Sequence, residues 1–264
     1  MNKTNIDVFK KTIDAYNSKY KLYTDELCDN TIVYEDLWYQ DVEFEQRATN
    51  VVVVGGDTVE TGRDFVYKNP DKITAVLNFA DALIPGGLVW QGASTQEEHL
   101  CRCSNLYASL TLDEPQDLYY EANKHSVKRL NQHIYVDNVI YSKDVLFFRS
   151  GKDYRFLEVP YTMDVITSPA PSAKLSAKDA HLVMITRINC IIKSAIINKV
   201  DNLILGAWGC GAFGQDPKIV ARCFKKVLDN YPAFDNVVFA IRNCGADYQS
   251  KTTSNYSVFK EILT

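Results

Sequence analysis

At 264 residues, with 46% hydrophobic and 12% aromatic side chains, the chain has ample apolar mass for a packed interior and lacks the composition of a disordered segment. A formal net charge of -4 and a pI near 5.6 exclude a broad electrostatic grip on DNA or RNA, so an anionic ligand must be held locally by backbone amides and helix N-termini. No run approaches the roughly 18 apolar residues of a spanning helix and residues 1–7 lack an apolar signal core, which predicts no membrane partner and a cytoplasmic location. The cysteine count of 7 is odd and the spacings match neither a zinc framework nor a secreted disulfide pattern, so all, Cys244 included, read as free thiols.

Residues 4 to about 30 place Ile6, Phe9, Ile13, Tyr16 and Tyr20 at helical spacing, predicting one packed amphipathic helix. Residues 51–54 are an unbroken valine run followed by Gly55, Gly56 and Asp57, a buried strand that ends in a turn with one carboxylate. Residues 73–79 form the next strand, which delivers the chain to Pro85, Gly86 and Gly87 and then to Gln96, Glu97 and Glu98. Ser94 or Thr95 with a glutamate three residues on has the form of a capping box, so a helix should begin there. Residues 138–149 predict one or two strands, and 164–171 another short strand stopped by Pro169 and Pro171. Leu182, Ile185, Ile188, Ile192 and Ile196 mark the clearest helix, over 177–199. A strand over 202–208 leads into a second glycine turn, 209–214, and Asp216-Pro217 then caps and opens a helix. A strand over 236–241 and a helix near 255–263 close the pattern.

Strands alternating with amphipathic helices imply an α/β fold with a mostly parallel sheet covered on both faces, whose ligands sit at the carboxyl ends of strands. Both glycine turns lie at such ends. In the second, Gly209, Gly211 and Gly214 alternate with Cys210, Ala212 and Phe213 ahead of a helix, which suits a diphosphate; the alternative is a glycine-rich turn with no ligand. It is not a dinucleotide or P-loop motif. Glu97 and Glu98 are either capping residues or, beside a bound sugar, an acid/base carboxylate and a partner for hydroxyls. Asn78 reads as a strand residue or a hydroxyl ligand, Asp57 as a helix cap or an acceptor for an adenine amine, and Phe213 as core or a platform for ribose. His99, beside Glu98, is the histidine closest to this chemistry.

The ordered set Leu-Asn-Phe-Ala at 77–80, Pro-Gly-Gly at 85–87, Gln-Glu-Glu-His-Leu-Cys-Arg at 96–102, Val-Ile-Thr-Ser-Pro-Ala-Pro at 165–171 and Leu-Gly-Ala-Trp-Gly-Cys-Gly-Ala-Phe-Gly at 205–214 resembles the microbial-type poly(ADP-ribose) glycohydrolases. The resemblance runs from about residue 45 to the C-terminus. It implies a macrodomain-like three-layer α/β/α fold with a mixed, mostly parallel sheet: one domain, a core over 49–264 behind a helical N-terminal elaboration of 1–48. It also implies ADP-ribose, poly(ADP-ribose) and ADP-ribosylated proteins as ligands, with no metal and no cofactor.

By the same resemblance Glu98 is the general acid/base for hydrolysis of ribose–ribose O-glycosidic bonds. Glu97 and Asn78 would bind ribose hydroxyls, and Asp57 would lie near adenine. Gly86, Gly87 and Gln96 would belong to the catalytic loop. Residues Gly209, Cys210, Gly211, Ala212, Phe213 and Gly214 would hold the diphosphate, with Phe213 on the distal ribose. Two positions depart from the family pattern: Leu88 replaces its third glycine and Ile84 the usual asparagine before Pro85. A leucine there predicts a narrowed pocket or an altered loop path. The alternatives to a polymer hydrolase are an ADP-ribose-binding macrodomain without turnover, and a hydrolase of mono-ADP-ribose from protein or nucleic acid.

Overall fold

The valine- and isoleucine-rich runs meet in one sheet in the computed structural model, which describes residues 2–130, 135–172, 175, 177–242 and 254–264; Cys244 lies outside them. The strands are β1 (Thr31–Tyr34), β2 (Asn50–Gly55), β3 (Thr74–Phe79), β4 (Val139–Arg149), β5 (Phe156–Ser168), β6 (Asn202–Leu205) and β7 (Asn236–Ile241). They form a seven-stranded sheet in the order β1-β4-β5-β3-β6-β7-β2. The stretch from β5 to β2 is parallel, and β4 and β1 complete the other edge antiparallel.

The helices are α1 (Lys3–Asn17), α2 (Lys21–Asp29), α3 (Thr58–Lys68), α4 (Gln96–Cys103), α5 (Leu106–Leu110), α6 (Asp113–Pro115), α7 (Ala122–Leu130), α8 (Ala177–Ile197), α9 (Pro217–Leu228) and α10 (Asn255–Leu263). Side chains alternate across each strand, so Ala75 and Leu77 of β3 join one buried cluster with α8 and α9 residues, while Val76 joins another with Phe9, Val59 and Leu100 from α1, α3 and α4. The expected three layers follow. Asn78 has the parity of Val76 and therefore faces α4.

Several expected boundaries change. The helix expected over 4–30 is two, broken at the turn where buried Tyr20 stacks on Phe148 with ring centroids 4.7 Å apart. The N-terminal segment is also not purely helical, because β1 adds a strand to the sheet edge. β5 starts at Phe156, well before the expected 164. Pro160 argues against a strand, yet residues 156–163 pair with β4 alone and β3 joins only from Asp164, so the missing N–H has no central ladder to interrupt.

α8 departs from the expectation of no long apolar stretch: Lys178–Ile197 is long and apolar enough to cross a membrane by length and composition. Its packing is that of a core helix. Ile188, Ile191 and Ile192 are fully buried against the sheet, Arg187 donates to the Pro169 carbonyl at 3.1 Å, and Lys193 Nζ donates to the carbonyls of Leu37, Trp38 and Gln40.

The N-terminal helix braces the first glycine loop. Asn5 Nδ2 donates to the Gly92 carbonyl at 3.0 Å, and Thr12 Oγ1 donates to the Arg102 carbonyl at 2.9 Å. Between them the buried Phe9 ring meets Trp90 at 5.0 Å and Tyr107 at 5.2 Å, both edge-on. Truncating a fully buried phenylalanine costs its transfer energy plus a cavity, so Phe9→Ala should lose about 3–5 kcal/mol of stability in urea denaturation. A loss below about 1 kcal/mol would contradict the bracing role.

Candidate active site

Four strands end at one cleft. Asp57 follows β2, Phe79 ends β3, Gly209 follows β6 and Arg242 follows β7; all four line a cavity of about 510 Å³. That is the size range of small-molecule sites, at the strand ends where α/β folds place them.

Glu98, in the first turn of α4, is 4% exposed and lines this cavity. Its Oε1 accepts a hydrogen bond from the Leu88 amide at 3.0 Å, and its Oε2 is bonded closely by the Thr95 hydroxyl. The expected capping box is therefore not made: Thr95 is the N-cap residue, but its hydroxyl bonds the Glu98 side chain and not a backbone amide. Gly87 has φ +57°, and a Cβ there would lie 2.7 Å from Glu98 Oε1, so both the turn and the carboxylate require glycine. Leu88 has φ -97°, which a leucine adopts without left-handed strain, and its amide serves the carboxylate. Its side chain, 40% exposed, lines the cavity.

Glu97 is buried deeper in the same wall. Asp81 N donates to its Oε2 at 2.7 Å and Asn78 Nδ2 to its Oε1 at 3.2 Å. Burial pushes its carboxyl well above the usual range, against the lowering effect of those two bonds. Asn78 also donates to Thr167 Oγ1 at 3.2 Å, and its Oδ1 is buried with no partner among the described residues. Gln96 is spent on structure: its Oε1 accepts from Phe79 N at 2.8 Å, and its Nε2 donates to the Leu77 carbonyl at 2.9 Å and Thr58 Oγ1 at 3.0 Å. One amide thus ties the start of α4 to β3 and α3.

The second glycine turn forms the opposite wall. Gly209 bends it at φ +79°, and Gly209, Gly211, Ala212 and Phe213 line the cavity. Among the described residues, the amides of these four donate to nothing, while Cys210, Gly214 and Gln215 use theirs within the turn. Unclaimed amides converging on a cleft are an anion site. Asp57 caps α3 through Oδ1, which accepts from Val59 N and Glu60 N at 3.0 Å each. Although burial raises its carboxyl, the His99 ring 3.6 Å away and the bond from Glu60 N outweigh this and hold it below the usual range.

Residues 6–150 match the microbial-type PARG catalytic domain, PARG being poly(ADP-ribose) glycohydrolase. The chain belongs to this family. Its fold is that of the Thermomonospora curvata glycohydrolase, at TM-score 0.85 and 26% identity over 99% of this chain and 100% of that one. The same enzyme bound to the inhibitor ADP-HPD superimposes at 0.81, with 27% identity over 98% and 99% of the two chains. The Deinococcus radiodurans glycohydrolase in complex with ADP-ribose matches at 0.76, with 30% identity over 90% of this chain and 95% of that one. No match is found among curated protein sequences.

Of the residues picked out by the sequence, the cavity brings together Asp57, Gly87, Gln96, Glu97, Glu98, Gly209, Gly211, Ala212 and Phe213. Asn78 stands behind Glu97, Gly86 faces Tyr107 and Cys101, Cys210 is buried in the core beside Trp208, and Gly214 lies outside the wall. Sequence reasoning missed Thr95 as a partner of Glu98, and Arg242, whose position directly after β7 was the available signal.

Glu97 makes stability depend on pH. Its folded carboxyl titrates above the ordinary value of 4.5, so the folded chain keeps a proton that the unfolded chain has lost. The contribution is full below about 4.5 and is lost as pH rises toward the folded value. Urea denaturation from about pH 4 to pH 8 should show a decline in wild type that Glu97→Gln flattens, and parallel declines would contradict the assignment.

Proposed function

We infer that this chain is a poly(ADP-ribose) glycohydrolase, which hydrolyses ribose–ribose O-glycosidic bonds and releases ADP-ribose. Family membership and the glycohydrolase structures carrying ADP-ribose and ADP-HPD support this reading. So do the two halves of the cavity, an anion-binding turn on one side and buried carboxylates on the other. The six described cysteines are free, which suits a reducing compartment such as the cytoplasm.

The observation that carries the assignment of roles is the different company of the two glutamates. Glu97 is held by N–H donors, which cannot accept a proton-bearing oxygen in return. Glu98 Oε2 is held by the Thr95 hydroxyl, which donates to a carboxylate and accepts from a carboxylic acid equally well. Glu98 can therefore give up and regain a proton without losing that partner. With the diphosphate on the amides of Gly209, Gly211, Ala212 and Phe213 and the distal ribose under Phe213, Glu98 protonates the leaving ribose oxygen. The C1–O bond breaks, and positive charge is shared over C1 and the ring oxygen. The resulting carboxylate takes a proton from water, whose oxygen attacks C1, and the enzyme returns to its starting form. One carboxylate serves both steps, in place of the usual glycosidase pair. Glu97 and Asn78, with its unpartnered Oδ1, hold ribose hydroxyls.

Glu98→Gln should lower turnover of labelled poly(ADP-ribose) by about 10²–10⁴-fold. Its affinity for ADP-ribose by calorimetry should stay within about threefold of wild type, since a neutral amide keeps the shape of the site. A variant that cleaves polymer at the wild-type rate would remove Glu98 from this role.

A further inference from the structure

His99 follows Glu98 on α4, where successive side chains diverge by about 100°, so it points to a different part of the same cavity. It is 3% exposed. Its Nδ1 meets the Tyr154 hydroxyl at 2.9 Å, and its Nε2 lies 3.6 Å from Asp57 Oδ1, buried and without a hydrogen-bond partner among the described residues. A buried polar atom left unpaired at a cavity wall is unusual, and a ligand is one way to satisfy it.

The neighbours of the ring decide which nitrogen carries the proton. A lone pair on Nε2 would face the Asp57 carboxylate, so the stable arrangement has the proton on Nε2 and the Tyr154 hydroxyl donating to Nδ1. Tyr154 is built in for this place. It sits in the β4–β5 turn at φ +58°, a left-handed conformation that costs a tyrosine energy. Its amide donates to the Ser150 carbonyl at 3.0 Å, and its own carbonyl accepts from Arg149 Nη1 at 2.7 Å. Asp57 spends Oδ1 on the start of α3, while its Oδ2 accepts nothing among the described residues. A donor on His99 and a free acceptor on Asp57 thus stand side by side.

We propose that His99 and Asp57 together read the edge of the adenine base, His99 Nε2–H donating to ring nitrogen N7 and Asp57 Oδ2 accepting from the 6-amino group, with Tyr154 as the positioning residue that fixes the ring. Adenine presents that acceptor and donor as neighbours, whereas a 6-oxo purine presents two acceptors. N7 accepts in both, so His99 adds affinity and fixes the base, while the 6-oxygen would face the Asp57 carboxylate and is rejected by repulsion. The inference rests on the ADP-ribose reading above and adds His99 and Tyr154 to it.

The test is calorimetry of ADP-ribose, its 7-deaza analogue and inosine diphosphate ribose against wild type, His99→Ala, Tyr154→Phe and Asp57→Asn, with thermal melts of each protein. Wild type should prefer ADP-ribose over inosine diphosphate ribose by about tenfold or more, the lower end of what one bidentate base contact discriminates. Wild type should also prefer ADP-ribose over the 7-deaza analogue, which lacks the N7 acceptor; His99→Ala and Tyr154→Phe should bring that second ratio toward one and Asp57→Asn the first, and Tyr154→Phe, which removes only a hydroxyl, decides the matter if His99→Ala does not fold. Equal wild-type affinities for ADP-ribose and its 7-deaza analogue, or His99 and Tyr154 variants that keep that preference, would overturn the proposal. Turnover of poly(ADP-ribose) by wild type reports separately on the underlying reading, which fails if neither polymer is cleaved nor ADP-ribose bound.

Discussion

The Glu98 carboxylate is almost entirely out of water, and a carboxylate in that position persists only where donors replace its hydration. The Leu88 amide and the Thr95 hydroxyl do so. Much of the surrounding structure follows from supplying them. Gly87 must lack a Cβ for the loop to reach Oε1, Gln96 pins the helix start so that Thr95 and Glu98 face each other, and α1 closes over the far side of the loop through Asn5 and Phe9. The N-terminal helix, which the sequence presents as an elaboration, is in this sense a support of the catalytic loop.

Across the cleft the same problem appears with opposite sign. On the proposed reading a chain of net charge -4 has to hold an anion, and oriented amides are the means that needs no basic surface. Among the described residues the turn after β6 leaves four amides unclaimed, and Arg242 at the end of β7 adds a cation to the cavity wall. In the proposed mechanism the two walls divide the labour: one supplies fixed donors for charge already present, the other the carboxyl that exchanges a proton with the leaving group.

What the sequence made legible is what depends on local pattern. β2, β3 and β7 are continuous apolar runs and stand where expected, as do Glu97, Glu98 and the Gly209 turn at the strand ends. What it hid depends on distant partners. The first half of β5 is invisible because Pro160 and alternating polar residues look like a loop until β4 is seen beside them. Thr95 reads as a cap because the rule for caps concerns backbone amides, and only the fold shows its hydroxyl on Glu98. Tyr154 lies 55 residues from His99, in a turn that no periodicity brings to α4. Leu88 departs from the family glycine by its side chain, which lines the cavity as expected of a narrowed pocket, but the bond from its amide to Glu98 is a backbone feature that the residue type does not reveal.

The central claim is that the carboxylate held by Leu88 and Thr95 sits at the reacting carbon. A crystal structure of the wild-type chain soaked with ADP-ribose addresses it directly. The account predicts the distal ribose C1 hydroxyl within about 3 Å of Glu98, the reach of a working general acid, with the diphosphate on the amides of Gly209 to Phe213. A distal ribose bound at the Asp57 end of the cleft, or a diphosphate away from that turn, would contradict it.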